Sequence, residues 1–260
     1  MPTATGATLV TSNDTRGLRR FGARMLLTVG AVALGAIPFT ILGVTVHTEG
    51  TAANRLDVSV ANRLHSSITG SPWAAHFLEG VSNVFSPNTF RAVLVITALV
   101  LLWRFRRAWR LAVWILVTVA GEAALDISLK AVFGRVRPSF KDPLSHSTGG
   151  SYPSGHAFGS LVGCAVIVLI VLPLLSRGWR RVVVAAAVVI VLMVGFSRIA
   201  LGAHYVTDVL GGWLVGGAWV ALTTAAFQSW REDVGLRRAD PTATGVEPEL
   251  KRELHAPSTS

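Results

Sequence analysis

Charged side chains are scarce in this chain. They make up 15% of its 260 residues, against about 25% in an average soluble domain. Hydrophobic residues account for 51%, and the mean hydropathy is positive. An ordinary water-facing globule is excluded, and a membrane protein is indicated. There is a single cysteine, Cys164, inside an apolar run; it has no partner for an intrachain disulfide and says nothing of redox compartment. No internal repeat or low-complexity linker separates the apolar runs. One membrane-embedded domain, residues 24–230, is therefore predicted, between tails at 1–23 and 231–260. The tails are rich in Thr, Ala, Pro, Ser and charge, and are predicted to be disordered and cytoplasmic. Acidic residues are also few, 14 against 24 Lys and Arg. The resulting excess of +10 does not indicate nucleic acid, because nucleic-acid binders gather their cations on one water-facing surface. Here they stand in knots between apolar runs.

A helix crossing a bilayer needs roughly 20 mostly apolar residues. Residues 25–46, 157–175 and 209–230 satisfy this almost without charge. Three weaker runs accompany them: 85–103, which contains Arg91; 111–133, interrupted by Glu122 and Asp126; and 182–197, which extends through Gly202. The fold class predicted is all-α, a six-transmembrane helix bundle. Arg91 is expected to snorkel to the interface. Trp73, Phe77, Leu78, Val81 and Phe85 recur at mostly helical spacing and predict a short amphipathic interfacial helix over 73–85, in the first outer loop. The first run exceeds the roughly 7–15 apolar residues of a cleaved signal and is read as an anchor.

Basic knots set the orientation. Those before the first run, between the second and third, between the fourth and fifth, and in the last tail put 16 of the 24 positive residues on one side. The positive-inside rule makes that side, and both termini, cytoplasmic.

Three polar clusters interrupt the oil: KAVFGRVRP at 130–138, YPSGH at 152–156 and SRIALGAHYVTD at 197–208. With six crossings all three fall on the outer side, which predicts one shared site. Lys130, Arg137 and Arg198 supply fixed positive charge. Ser154 and Gly155 at a helix start supply backbone N–H groups at the positive end of a helix dipole. Arg offers a planar fork to phosphoryl oxygens and Lys a compact charge. His204 and Asp208, four residues apart, share a helical face, so the carboxylate can hold one ring nitrogen while the other acts as nucleophile or base. His156 can protonate a departing alkoxide and then activate water. No Asp/Glu-rich or Cys/His cluster stands beside them. Charge stabilisation is assigned to the cations and the helix end, and no metal or other cofactor is expected.

The order and spacing of these residues resemble the signature of the type 2 phosphatidic acid phosphatases, or lipid phosphate phosphatases. That family shares its core with vanadium haloperoxidases and bacterial acid phosphatases. Its first motif matches Lys130, Arg137 and Pro138; its second, Pro153 to His156; its third, Ser197, Arg198, His204 and Asp208. The resemblance spans 130–208 and implies a metal-independent membrane phosphohydrolase with a six-helix core. In it His204 would attack phosphorus to give a phosphohistidine, Asp208 would orient His204, and His156 would protonate the leaving group. Lys130, Arg137, Ser154, Gly155 and Arg198 would bind the phosphoryl oxygens. The substrate implied is a lipid phosphomonoester or diphosphate in the outer leaflet of a bacterial plasma membrane: phosphatidic acid, phosphatidylglycerol phosphate or a polyprenyl diphosphate. A phosphotransferase on the same fold and an anion transporter are the alternatives.

Plainer roles are expected elsewhere. His47, His65, His76 and His146 read as solvated loop residues. Asp126 is expected to pair with a motif cation. The run GGWLVGG at 211–217 reads as close helix packing. Apart from the lipid phosphate and the surrounding membrane lipids, no partner and no oligomeric state is indicated.

Overall fold

The structure, a computed structural model, describes residues 29–250 apart from 31, 49, 142, 146 and 147. The tail predicted at 1–23, the last ten residues and His146 lie outside the described residues. Among the described residues every regular element is helical. The order is α1 (Val32–His47), α2 (Ala52–Thr69), α3 (Pro72–Val84), α4 (Pro87–Arg104), α5 (Trp109–Phe133), α6 (Gly155–Val171), α7 (Arg177–Ala200), α8 (Val206–Asp233) and a short α9 (Pro241–Thr244). Five stretches are long and apolar enough to cross a membrane: Pro72–Arg104, Arg106–Phe133, Gly155–Leu174, Arg177–Ala200 and Val206–Asp233. A sixth exists if α1 and α2, bent by 80°, form one broken span. This is the all-helical, multi-pass architecture that the apolar runs predict.

The centre of the bundle is α6, flanked by α4, α5, α7 and α8. Small residues allow that density. A Cβ on Gly212 of α8 would lie 2.6 Å from the Ser154 carbonyl oxygen, and Gly163 of α6 receives the Phe90 ring of α4. In the glycine run of α8, Gly211, Gly212 and Gly216 all serve close approach, while Gly217 faces open space.

The amphipathic helix predicted over 73–85 is α3. Leu78 and Ser82 are buried towards the C-terminal end of α7, whereas Trp73 and Phe77, stacked on each other, stay exposed. The sequence reading missed α2, which is capped by Thr51 and packs Asp57, Ala61 and His65 inward.

Three expectations are corrected. His65 is not a solvated loop residue: it is buried on α2, with its ring 3.8 Å from that of Phe140. Arg91 does not stand alone. Its guanidinium donates to both carboxylate oxygens of Glu122 on α5, at 2.8 and 2.9 Å, because a two-pronged ion pair satisfies both charges inside the bundle. Nor is the chain after residue 230 disordered as far as residue 250. It folds back across the bundle end, where Val246 and Leu250 join the main core beside Leu101, Leu111 and Ile170. The cause is Arg231, fully buried and paired with Glu247 at 2.9 Å and Glu249 at 2.8 Å. A buried guanidinium needs such partners, and averaged composition hides them.

Candidate active site

Four helix ends meet at one end of the bundle: the last turns of α5 and α7 and the first turns of α6 and α8. Glycine shapes two of the reversals. Gly134, at φ +53°, stops α5 in the left-handed conformation and turns Arg135 and Arg137 back over the helix ends. Gly202, at φ +70°, follows α7, and the N–H groups of Ala203 and His204 then both bond the Arg198 carbonyl, at 3.0 and 3.1 Å. His204 therefore sits in a tight turn, not on a helix as its spacing to Asp208 suggests. Asp208 lies in the first turn of α8 and accepts from the Tyr205 N–H at 2.8 Å, so one carboxylate both caps the helix and faces the imidazole. At α6 the Ser154 hydroxyl is the N-cap, and the Ser154 N–H donates to the Asp208 carbonyl at 2.9 Å.

The imidazole is held from both sides. Arg137 Nη1 donates to His204 Nε2 at 3.0 Å and to the Ala203 carbonyl at 2.8 Å. A guanidinium can only donate, so Nε2 presents its lone pair and the proton of the neutral ring sits on Nδ1. That nitrogen faces Asp208 Oδ2 and the Ser151 hydroxyl, each at 3.5 Å, and Ser151 itself donates to Oδ2 by a short bond. Burial drives the His204 pKa down to about 4; Asp208 opposes the shift, and Arg137 and Arg198 add to it. The ring is thus neutral at ordinary pH. Burial also lowers Arg137 against the pull of Asp208 and Asp126, but a guanidinium stays charged throughout.

The remaining cations surround the same space. Lys130 Nζ lies 2.9 Å from both Asp126 oxygens, the pairing expected of Asp126. A Cβ on Gly155 would fall 2.7 Å from Asp126 Oδ1 and 2.8 Å from that Nζ, so the ion pair sits directly against the α6 terminus. Arg198 reaches Ser82 at 2.8 Å and Ser145 at 3.3 Å. His156, in the first turn of α6, is partly exposed and lies within electrostatic reach of Arg198, His204, Lys130 and Arg137. All eight residues singled out from the sequence thus converge. The arrangement can grip a tetrahedral oxyanion and present one imidazole lone pair to its centre, with a second imidazole nearby.

Sequence reasoning missed a layer behind Asp208. Arg135 donates to Asp208 Oδ1 at 2.5 Å and to Asp57 Oδ2 at 2.8 Å, and it lies over the Tyr205 ring. Asp57 also accepts from the Thr207 N–H at 3.0 Å and from the Thr207 hydroxyl. Burial opposes the Arg135 charge, yet the two carboxylates raise its pKa. The crowding of cations at 130–141 was the one available signal for Arg135; Asp57 had none. Among the described residues no group of three or more His, Cys, Asp or Glu side chains is placed to hold a metal ion.

The model of the PAP2 superfamily matches residues 111–232. Phosphatidylglycerophosphatase B of Bacillus subtilis is 32% identical over 181 residues, 68% of this chain and 85% of the relative. Undecaprenyl-diphosphatase of Sulfolobus acidocaldarius is 28% identical over 139 residues, 52% of this chain and 62% of the relative. The crystal structure of a transmembrane PAP2-type phosphatidylglycerolphosphate phosphatase from Bacillus subtilis superposes with a TM-score of 0.68 at 28% identity, covering 78% of this chain and 97% of that one.

Proposed function

This chain belongs to the PAP2 superfamily, and from that membership we propose that it is a lipid phosphatase, hydrolysing lipid phosphomonoesters or diphosphates through a phosphohistidine on His204. The observation that carries the proposal is the neutral imidazole of His204, its Nε2 lone pair turned to the Arg137 guanidinium while Asp208 and Ser151 stand behind Nδ1. In the proposed first step, phosphoryl oxygens take over the N–H groups of Arg137 and gather Lys130, Arg198 and the α6 terminus at Ser154 and Gly155. The Nε2 lone pair forms the N–P bond as the P–O bond to the lipid breaks, and His156 gives its proton to the departing oxygen. In the second step His156 takes a proton from water, the water oxygen bonds to phosphorus, and the N–P electrons return to His204. The cations supply the charge stabilisation without a metal ion.

The relatives named above act on phosphatidylglycerophosphate and undecaprenyl diphosphate. Both join a phosphate to a long apolar tail, which suits a site at the outer mouth of a membrane bundle. The proposed setting is the outer leaflet of a bacterial plasma membrane, with both termini cytoplasmic. The test is phosphate release by the purified full chain in EDTA from dioleoyl phosphatidic acid, phosphatidylglycerol phosphate and undecaprenyl diphosphate. Release that His204→Ala abolishes is expected. Activity that disappears in chelator, or that survives His204→Ala, overturns the mechanism.

A further inference from the structure

Asp57 and Arg135 bind no phosphate in the scheme above, yet both are charged and deeply buried, Asp57 fully and Arg135 to 8% side-chain exposure. Buried charge is costly unless partnered, and here each partner leads to the next. Asp57 on α2 holds Arg135 at 2.8 Å, Arg135 holds Asp208 at 2.5 Å, and Asp208 faces the imidazole. Asp57 also grips both the N–H and the hydroxyl of Thr207, the residue just before Asp208. Helix α2 is thereby fastened to the first turn of α8.

We propose that Asp57 and Arg135 are positioning residues for His204: with Asp208 they form a buried ion-pair relay from α2 to the imidazole, which sets where the ring points and how much negative charge stands behind it. The proposal deepens, and for its catalytic consequence rests on, the histidine chemistry proposed above. The relay alternates in sign. Arg135 draws charge away from Asp208, and Asp57 offsets Arg135. Removing Arg135 leaves the Asp208 carboxylate to the imidazole and favours the protonated ring; removing the Asp57 charge leaves Arg135 wholly to Asp208 and disfavours it. The other groups facing His204 are Arg137 and Ser151 from the loop, Arg198 from α7 and His156 from α6. None of them changes in either variant. A residue that merely braced the fold would not move the imidazole in opposite directions.

A cavity of about 520 Å³ is lined by His47, Asn54, Gly134, Arg135 and Tyr205 among others. Truncating Arg135 therefore leaves space that a free guanidinium ion can enter. The experiment uses the purified full chain, with dioleoyl phosphatidic acid as probe. In Arg135→Ala, kcat is expected to fall about tenfold to a hundredfold, the loss typical when the partner behind a metal-bound imidazole is removed. KM is expected to change little, and guanidinium, but not ammonium at equal ionic strength, to restore part of the rate. The imidazole ¹⁵N titration of His204 is expected to move up in Arg135→Ala and down in Asp57→Asn, a variant that keeps the side-chain shape. Full kcat in Arg135→Ala, or titrations that do not move, overturns the relay. Should the parent chain release no phosphate at all, the proposed function fails instead, and the substrate-free titrations still decide the relay.

Discussion

His204 illustrates how much one side chain owes to its surroundings. Nothing in its own chemistry separates it from the exposed His76, yet burial and the nearby guanidinium groups of Arg137 and Arg198 bring its pKa to about 4. The sign matters for turnover. A lowered pKa keeps the lone pair free as pH falls, and the ring gains its proton only near 4, not near the 6.5 of an unperturbed imidazole. We expect the ¹⁵N shifts of His204 in the parent protein, assigned against His204→Asn, to show the Nδ1–H tautomer at neutral pH and a titration well below 6. A midpoint near 6.5 would contradict the burial that the structure shows. Local spacing in the sequence was enough to single out His204, Asp208, Lys130, Arg137 and Ser154, because capping, turn and motif signals all act within a few residues. Asp57 gave no such signal: its partners Arg135 and Thr207 lie 78 and 150 residues away, and an acid in a mixed-charge helix reads as a solvated one.

The central helix α6 depends on what its neighbours leave out. Gly212 of α8 packs where a methyl group would press on the Ser154 carbonyl at 2.6 Å and on the Phe158 N–H at 3.0 Å. Both are backbone atoms that cannot turn aside. Gly212→Ala is expected to destabilise the protein by about 1–3 kcal/mol, the range for overpacking. It should also cut phosphatase activity, since Ser154 is the α6 cap and is bonded to the Asp208 carbonyl. Gly217→Ala is the control: nothing lies within 4 Å of its position, so thermal unfolding should show it neutral or slightly stabilised, as alanine is the better helix former. Equal losses in the two variants would mean that helix propensity, not contact, governs this stretch. The run GGWLVGG shows a pattern of small residues; which of them touch, and what they touch, follows from the rotation of α8 against α6.

Across the whole molecule the two ends are finished differently. At the site end, the α2–α3 segment covers the helix termini through Asp57 and Ser82. At the other, residues 234–250 close the bundle through Val246, Leu250 and the pairs that Glu247 and Glu249 make with Arg231. Truncation after Asp233 takes both carboxylates from a fully buried guanidinium, a change that costs about 3–5 kcal/mol when a buried pair is broken. We expect a Tm several degrees lower for the truncated chain in detergent, with partial recovery in the truncated chain carrying Arg231→Met. An unchanged Tm would show that the folded-back segment adds nothing to stability.

The all-helical, multi-pass membrane class, the approximate position of most apolar runs and the eight convergent residues could all be read from the amino acids, because hydrophobic run length and short-range spacing are local properties. The orientation of Arg91 towards Glu122, the burial of His65, the packing of the last tail and the relay through Asp57 could not. Each is a pairing between residues far apart along the chain, and a charge or a ring finds such a partner only once the helices have packed and excluded water from between them.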